Sequence, residues 1–493
     1  MAPRVDHALW DRLFARTAAT GWPLQARLRE MVAAAISEGW LVPGTPLPSS
    51  RELAENLGVA RNTVLLAYQQ LVDEELLESR ERSGYFVRRR PETGQPSARP
   101  ARATGTLDWE HRFAIRPSAQ RNIVKPHDWL SYPYPFVYGQ FDPTLFPTND
   151  WRECARQALS VLEIRGWAPD LIDGDDPQLV EQIRTRVLPR RGIWASAEEI
   201  VITLGAQQAL YMLAQLLARP GMTVGIEDPG YPDARNILTL CGAELRPVPV
   251  DEVGVVPDAI PPACELLFVT PTRQCPTGAM LPLARRERLL ALAEAYDLLL
   301  LEDDYESNFG LSSDALPTLK SLDRSGRVLY VGSLSKTLAP GLRFGYIVAA
   351  PEVAREVRAL RRLILRHAPA NNQRALALFL ALGHFDRLLR KVTTVLAERA
   401  TVMRAALARH LSDFTYSHGT GGSSFWVHGP EGLDARALAR RAAAAGLLIE
   451  AGDVFFMSPT PPLHHFRLGF SSLPTERIEP GIAALARLVR EPG

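Results

Sequence analysis

Residues 331–346 read VGSLSKTLAPGLRFGY. Lys336 comes straight after an apolar, β-rich run, VLYVG at 328–332, so its amine is presented at a strand end. Ser333 and Ser335 flank it, and Arg343 follows. A lysine amine forms Schiff bases with carbonyl groups. Hydroxyls and a guanidinium hold phosphate oxygens. The set therefore suits a cofactor that is both an aldehyde and a phosphate. In isolation, a lysine between two serines is most often an ordinary surface residue. Amine chemistry has few other candidates here: of 56 basic residues, only Lys125, Lys320, Lys336 and Lys391 are lysine.

Three segments upstream add weight. ITLGAQQAL at 202–210 is a strand, a glycine and a helix start. The N–H groups of Gly205, Ala206 and Gln207 would face an anion, helped by the helix dipole. The same pattern also occurs as a plain strand-to-helix turn. LLLLEDDYESNF at 298–309 puts acids and a tyrosine at the end of an apolar strand. Asp303 there can pair with a protonated pyridine nitrogen, and Tyr305 can bond a ring hydroxyl. An acidic loop is the plainer alternative, and without a histidine cluster a metal site is the weaker one. EDPGYPDAR at 227–235 offers Tyr231 on a turn, either to stack on a ring or simply to pack.

Around these motifs the pattern alternates. Runs at 200–203, 223–227, 266–270, 298–302 and 328–332 are short and β-rich, with helical stretches between them. The spacing predicts an α/β domain with a largely parallel sheet. One long helical stretch is expected over 373–407, followed by a smaller α+β portion carrying GGSSFWVHG and HFRLGFSSL.

A different unit precedes it. Leu24, Leu28, Met31, Val32, Ala35 and Ile36 recur at helical spacing. Ser49 or Ser50 caps a short helix with Leu53, Ala54 and Leu57 inward, and Gly58 suits the turn after it. A second helix starts near Ala60 with Val64, Ala67, Tyr68 and Leu71 inward. LLESRERSGYFV then reads as two short strands around Ser83-Gly84. Helix, tight turn, helix and hairpin make a winged helix-turn-helix, whose second helix enters the major groove by its N-terminal end. That end carries Arg61, Asn62 and Thr63; Arg can read guanine and Asn adenine. Arg51 is placed to reach phosphate, and the hairpin tip is a wing.

Between the two units, RRRPETGQPSARPARATG has no apolar period and reads as a linker. The expected boundaries are 1–88, 89–128 and 129–493. At 493 residues with 46% hydrophobic and 23% charged content, the composition excludes a mainly disordered, collagen-like or coiled-coil chain. No apolar run approaches the ~20 residues of a membrane helix. Four scattered cysteines without a CxxC pair argue against a disulfide scaffold or zinc ribbon and for a cytoplasmic setting. The formal net charge of +1 says nothing for or against nucleic acid.

PGTPLPSSRELAENLGVARNTVLLAYQQLVDEELLESRERSGYFV closely resembles the DNA-binding domain of GntR-type regulators, over roughly residues 22–88. By that resemblance Arg51, Arg61, Asn62, Thr63 and Gly84 fall at DNA-contacting positions. The later segments resemble fold-type I pyridoxal-phosphate enzymes over most of 129–475. EDPGYP, PTRQCPTGAM, LEDDY and GSLSKTLAPGLRFGY, joined to the N-terminal unit, resemble the MocR-type subfamily of GntR regulators. That resemblance implies a multidomain chain: a mainly α winged helix-turn-helix, then an α/β fold-type I transferase domain with a small α+β domain. It implies pyridoxal 5'-phosphate as cofactor. Lys336 would form the internal aldimine, Asp303 pair with the pyridine nitrogen, Tyr305 bond the ring hydroxyl and Tyr231 stack. Ser333, Ser335, Arg343 and the Gly205–Ala206–Gln207 turn would hold the phosphate, and Arg467 an effector carboxylate.

Two departures stand out. Cys275 occupies the position where classical aminotransferases carry an asparagine, which favours regulator over enzyme. Asp233 replaces an arginine that one subgroup uses for its amino-acid ligand, and a carboxylate there would suit a ligand with a second amine. The expectation is a homodimeric, cytoplasmic transcription regulator that binds double-stranded operator DNA. It would sense an amine or amino-acid effector through an external aldimine. The alternatives are a working aminotransferase with an accessory DNA-binding unit, and a dimerisation scaffold that has lost its cofactor.

Overall fold

The structure is a computed structural model that describes residues 7–17, 21–89, 108–306, 316–417 and 422–491. Most of the stretch read as linker, residues 90–107, lies outside them. The chain divides into two compact units, Met1–Arg112 and Phe113–Gly493.

In the first unit, α1 is His7–Arg16, α2 Leu24–Ser37, α3 Ser50–Leu57 and α4 Arg61–Asp73. The strands β1, Leu77–Arg80, and β2, Gly84–Val87, pair antiparallel. Their core is the apolar set expected from spacing: Leu28, Met31, Val32 and Ala35 meet Leu53, Ala54, Val64, Ala67, Tyr68 and Leu71. Ile36 and Leu57 are only partly buried at its edge, and Trp10 of α1 completes it. Each fully buried leucine contributes roughly 1.5–3 kcal/mol. Of the two candidate caps, Ser49 is the one used: its hydroxyl accepts from the N–H of Glu52 at 3.1 Å. A cap of this kind is worth about 1 kcal/mol. Gly58 ends α3 in the left-handed region, at φ +63°.

The second unit is built on an eight-stranded sheet. Its spatial order is Ile200–Thr203, Gly345–Val348, Val328–Ser333, Leu299–Asp304, Leu266–Val269, Thr223–Asp228, Glu244–Asp251, Gly254–Val255. The five strands from Val328–Ser333 through Glu244–Asp251 run parallel to one another, and Gly254–Val255 pairs antiparallel at the edge. Gly345–Val348 runs antiparallel to both of its neighbours. The parallel strands Leu266–Val269 and Val328–Ser333 are largely apolar and buried along their length, as helix-covered strands must be, whereas Glu244–Asp251 towards the sheet edge is mostly exposed.

The long helical stretch expected over 373–407 is two helices, Ala370–Ala381 and His384–His410. Gly383, at φ +76°, turns the chain between them. The helical period continues across the break, so spacing alone did not reveal it. A smaller four-stranded sheet, ordered Thr415–Tyr416, Ser424–His428, His465–Gly469, Glu450–Ala451, forms the last portion. Among the described residues no helix is long and apolar enough to cross a membrane.

Candidate cofactor cavity and DNA-reading face

In open α/β sheets, ligands gather at the carboxyl ends of the strands. Three such ends converge here. Thr203 leads into Gly205, Asp303 stands near the end of its strand, and Ser333 ends the neighbouring one. Gly345 pairs with Ser333 on one side and Thr203 on the other, so the antiparallel strand starts at the same edge.

The result is a cavity of about 220 Å³. It is lined by Lys336, Asp303, Tyr305, Tyr231, Gly205, Ala206, Gln207, Ser333, Ser335 and Arg343, together with Cys275, Tyr138 and Gly139. Every residue assigned to the cofactor from sequence therefore borders one space.

Alternation along the Leu299–Asp304 strand separates the acids. Asp304 accepts from Arg191 Nε at 2.8 Å and from the Tyr330 hydroxyl at 2.7 Å. Glu302 accepts from the N–H groups of Leu319 and Lys320. Asp303 alone borders the cavity, and its buried Oδ1 has no hydrogen-bond partner. Burial, and then the neighbouring Asp304, push its carboxyl up to about 8. An orphaned carboxylate of this kind fits a cationic ring nitrogen.

Lys336 lies in the short helix Ser335–Leu338, with Nζ 4.3 Å from the Tyr138 ring centroid. Burial lowers its ammonium to about 8.

Another part of the cavity lining suits a phosphate. The helix Gly205–Leu217 opens there, and its first N–H groups have no partner within the helix. Gly205 is at φ +77°, and a Cβ on it would lie 3.0 Å from the Arg343 guanidinium. A Cβ on Gly345 would lie 2.5 Å from the Gly205 carbonyl carbon. Arg343 holds φ +56°, an uncommon conformation for a non-glycine residue, and donates to the Leu204 carbonyl at 3.1 Å. The Ser335 hydroxyl is engaged with the Phe344 backbone on both sides, which leaves Ser333 the freer of the two. With Lys336, Asp303 and this group of donors bordering one cavity, the residues fit pyridoxal phosphate.

Tyr231 is held by its hydroxyl, 2.9 Å from both Gln207 Oε1 and Asp233 Oδ2. Asp233 thus anchors the ring expected to stack. Cys275 remains a neutral thiol, pushed up to about 12 by burial. Its Sγ lies 3.8 Å from Arg467 Nη1.

Arg467 stands beside the cavity, its guanidinium 4.0 Å from the Tyr138 ring centroid and 4.6 Å from that of Phe455. Glu450 accepts from its Nε at 2.8 Å, while Nη2 has no partner.

Sequence reading missed Tyr138, Glu450, Glu306 and Lys125. The Tyr138 hydroxyl donates to Glu306 Oε1 at 2.9 Å, and Ser423 donates to the same oxygen. Glu306 directly follows the LEDDY motif, and Lys125 is one of only four lysines; those were the available signals.

Asp303→Asn separates ion pairing from packing. A carboxyl raised in the folded state loses stability as pH climbs from its unfolded value near 4 toward 8. The cofactor-free wild type is expected to lose melting temperature over that window, and the variant to lose less of it. Scanning fluorimetry from pH 5 to 8.5 checks this; parallel curves for the two proteins would show that Asp303 is not the buried carboxyl raised in the folded state.

In the first unit, Arg61 and Asn62 open α4 and are exposed, Thr63 is half-buried, and Arg51 is exposed on the first turn of α3. Arg61 Nε lies 3.4 Å from the Ser50 hydroxyl, and Arg51 3.9 Å from Glu55. Gly84 starts β2 at φ +94°. The structure thus groups the α3 and α4 residues at adjoining helix starts, with Gly84 at the hairpin.

Comparison with known proteins agrees with both halves. Residues 24–87 match the family model for bacterial regulatory proteins of the gntR family, and residues 147–485 that for aminotransferase class I and II. The HTH-type transcriptional regulator TauR of Rhodobacter capsulatus is 46% identical over 95% of this chain and 96% of its own. The probable rhizopine catabolism regulatory protein MocR of Rhizobium meliloti is 32% identical over 94% and 93%. Among solved structures, LysN, the alpha-aminoadipate aminotransferase of Thermus thermophilus complexed with N-(5'-phosphopyridoxyl)-L-leucine, aligns with a TM-score of 0.71 at 29% identity. It covers 78% of this chain and 98% of that one. The chain belongs to the MocR-type transcription regulators, in which a gntR-family DNA-binding unit and an aminotransferase class I and II domain share one polypeptide.

Proposed function

We propose that this regulator binds pyridoxal 5'-phosphate in the cavity at Lys336 and uses it to sense an amine or amino acid. The observation that carries the proposal is the buried Asp303 carboxyl, its Oδ1 without a partner, in one cavity with the Lys336 amine and the Gly205 helix start. When bound, the cofactor supplies an electrophilic aldehyde carbon on an electron-withdrawing ring. Lys336 supplies the amine for it. Asp303 holds the proton of the ring nitrogen, Tyr305 bonds the ring hydroxyl and Tyr231 covers a ring face. Ser333, Ser335, Arg343 and the 205–207 turn bind the phosphate, and Arg467 takes an anionic group of the effector through its unpartnered Nη2.

The effector shifts the regulator only by binding its two states with different affinity. The DNA-binding unit, 1–88, acts on operator DNA through Arg51, Arg61, Asn62, Thr63 and Gly84. A connector of 89–128 joins it to the sensing unit, 129–493. A homodimer in the cytoplasm, each copy meeting one half-site, completes the proposal.

Footprinting tests the sensing step. Protein without cofactor, with cofactor, and with cofactor plus each of a panel of amines and amino acids is expected to give at least two distinct footprints or affinities. Identical protection throughout would leave a DNA-binding protein without a sensor.

A further inference from the structure

Two of the four lysines meet at one place. A Cβ on Gly139 would lie 2.5 Å from Lys336 Nζ and 3.7 Å from Lys125 Nζ. Lys125 comes from the far end of the stretch read as linker, and that end is not a free coil. The Gln120 amide donates to the Asn236 carbonyl at 3.1 Å, and Asn236 Nδ2 donates to the Arg121 carbonyl at 2.9 Å. Arg121 pairs with Asp453 at 3.4 Å. Ile123 packs on the small cluster of Cys275, Trp426 and Phe455 beside the cavity. Residues 120–125 therefore form a strap across the sensing unit, one that the chain leading back to the DNA-binding unit must pass through.

At the strap's end, Lys125 Nζ lies 3.3 Å from Glu450 Oε1 and also donates to the Tyr138 carbonyl. Glu450 accepts on its other oxygen from Arg467, and its Oε1 also accepts from the Tyr138 N–H at 3.3 Å. The Tyr138 ring in turn lies against both Lys336 and Arg467. One ammonium thus pins the turn that walls Lys336 and the carboxylate that holds Arg467.

We propose that Lys125 is a positioning residue for Lys336, supplied by the connector, so that seating or lifting the strap sets how readily Lys336 gives up its proton. The functional meaning rests on the cofactor role proposed above for the cavity. The acids and cations facing Lys336 are Glu306, Asp303 with its raised carboxyl, Arg467 on the small sheet, and Lys125. Cys275, Tyr138 and Tyr305 face it as neutral groups. Glu306 favours the ammonium, while Lys125, Arg467 and burial oppose it. Lifting the strap removes a cation and admits water, and both changes push the Lys336 midpoint upward. Coupling is reciprocal, so a ligand that prefers neutral Lys336 also prefers the seated strap.

The scarcity of lysine makes the test direct. The cofactor-free, full-length chain is reductively methylated with ¹³C-formaldehyde and a borane hydride donor and titrated by NMR; four lysines and the amino terminus give few signals, and Lys336→Arg assigns the relevant one. Lys125→Met is expected to raise the Lys336 midpoint by about half to one pH unit, an order-of-magnitude shift for one nearby charge. Lys125→Arg is expected to leave it near the wild-type value. Ile123→Ser, which loosens the strap while keeping every charge, is expected to raise it too, and stands in if Lys125→Met does not fold. Wild-type midpoints in both Lys125→Met and Ile123→Ser would overturn the proposal. Because no cofactor is present, this result stands whether or not pyridoxal phosphate binds; absence of the cofactor's absorbance band in loaded wild type would strike only the proposed function.

Discussion

Lys336→Ala is expected to abolish the yellow absorbance that pyridoxal phosphate acquires on the wild-type protein. Cofactor affinity should fall by about 100-fold, which corresponds to roughly 2.7 kcal/mol. The phosphate cup proposed at Gly205, Ser333 and Arg343 does not depend on the lysine, so weak binding should persist. Equilibrium dialysis separates the two effects. Lys336→Arg is expected to behave like the alanine variant, because it keeps the charge but cannot form the imine. Each loaded variant should also lose its response to every amine that alters the wild-type footprint. A full-strength yellow band in Lys336→Ala would show that another amine serves, and Lys125 is the neighbour to try.

The second large effect lies in the other unit. Arg61→Ala and Asn62→Ala are each expected to weaken operator binding by about 1–3 kcal/mol, roughly 5- to 150-fold, and to relax preference at one base position. Arg51→Ala is expected instead to weaken all sequences alike and to flatten the salt dependence by about one unit of slope. Gel-shift titrations on an operator and on scrambled DNA at three salt concentrations distinguish the patterns. These side chains are exposed at the starts of α3 and α4, away from the buried core of Leu53, Val64 and Leu71, so stability should hardly change. The cofactor absorbance should not change either. A uniform loss for Arg61→Ala would reassign it from base reading to phosphate contact.

The sequence was most informative where a local pattern has one physical meaning. The central parallel strands announced themselves as short apolar runs because both of their faces are covered. The helix-turn-helix was visible in Ser49, Gly58 and the helical spacing between them, each a local rule. Gly345–Val348 escaped notice because four residues after a motif carry little period, and its antiparallel direction is a property of its neighbours. Glu244–Asp251 escaped because Pro247 and Pro249 interrupt its pattern. In the site, Lys336 and its surroundings were legible because a strand end, an amine and a phosphate cup leave consecutive traces. Glu450 and Tyr138 were not, since the bond that joins them is distant in sequence: the Tyr138 N–H meets Glu450 with a sequence separation of 312. Nothing in either local sequence announces that meeting.

The contact between Gly345 and Gly205 has a further use. With 2.5 Å between a would-be Cβ and a backbone carbon, no side chain fits at position 345 unless the phosphate turn moves. Position 345 therefore acts as a steric gauge of whether that turn is kept. Among chains of this architecture, those holding an alanine or larger residue there should have a displaced turn and should bind pyridoxal phosphate poorly, even with the lysine intact. A panel of natural variants sorted by that one position, before any is purified, would divide cofactor-dependent regulators from those that have kept only the scaffold.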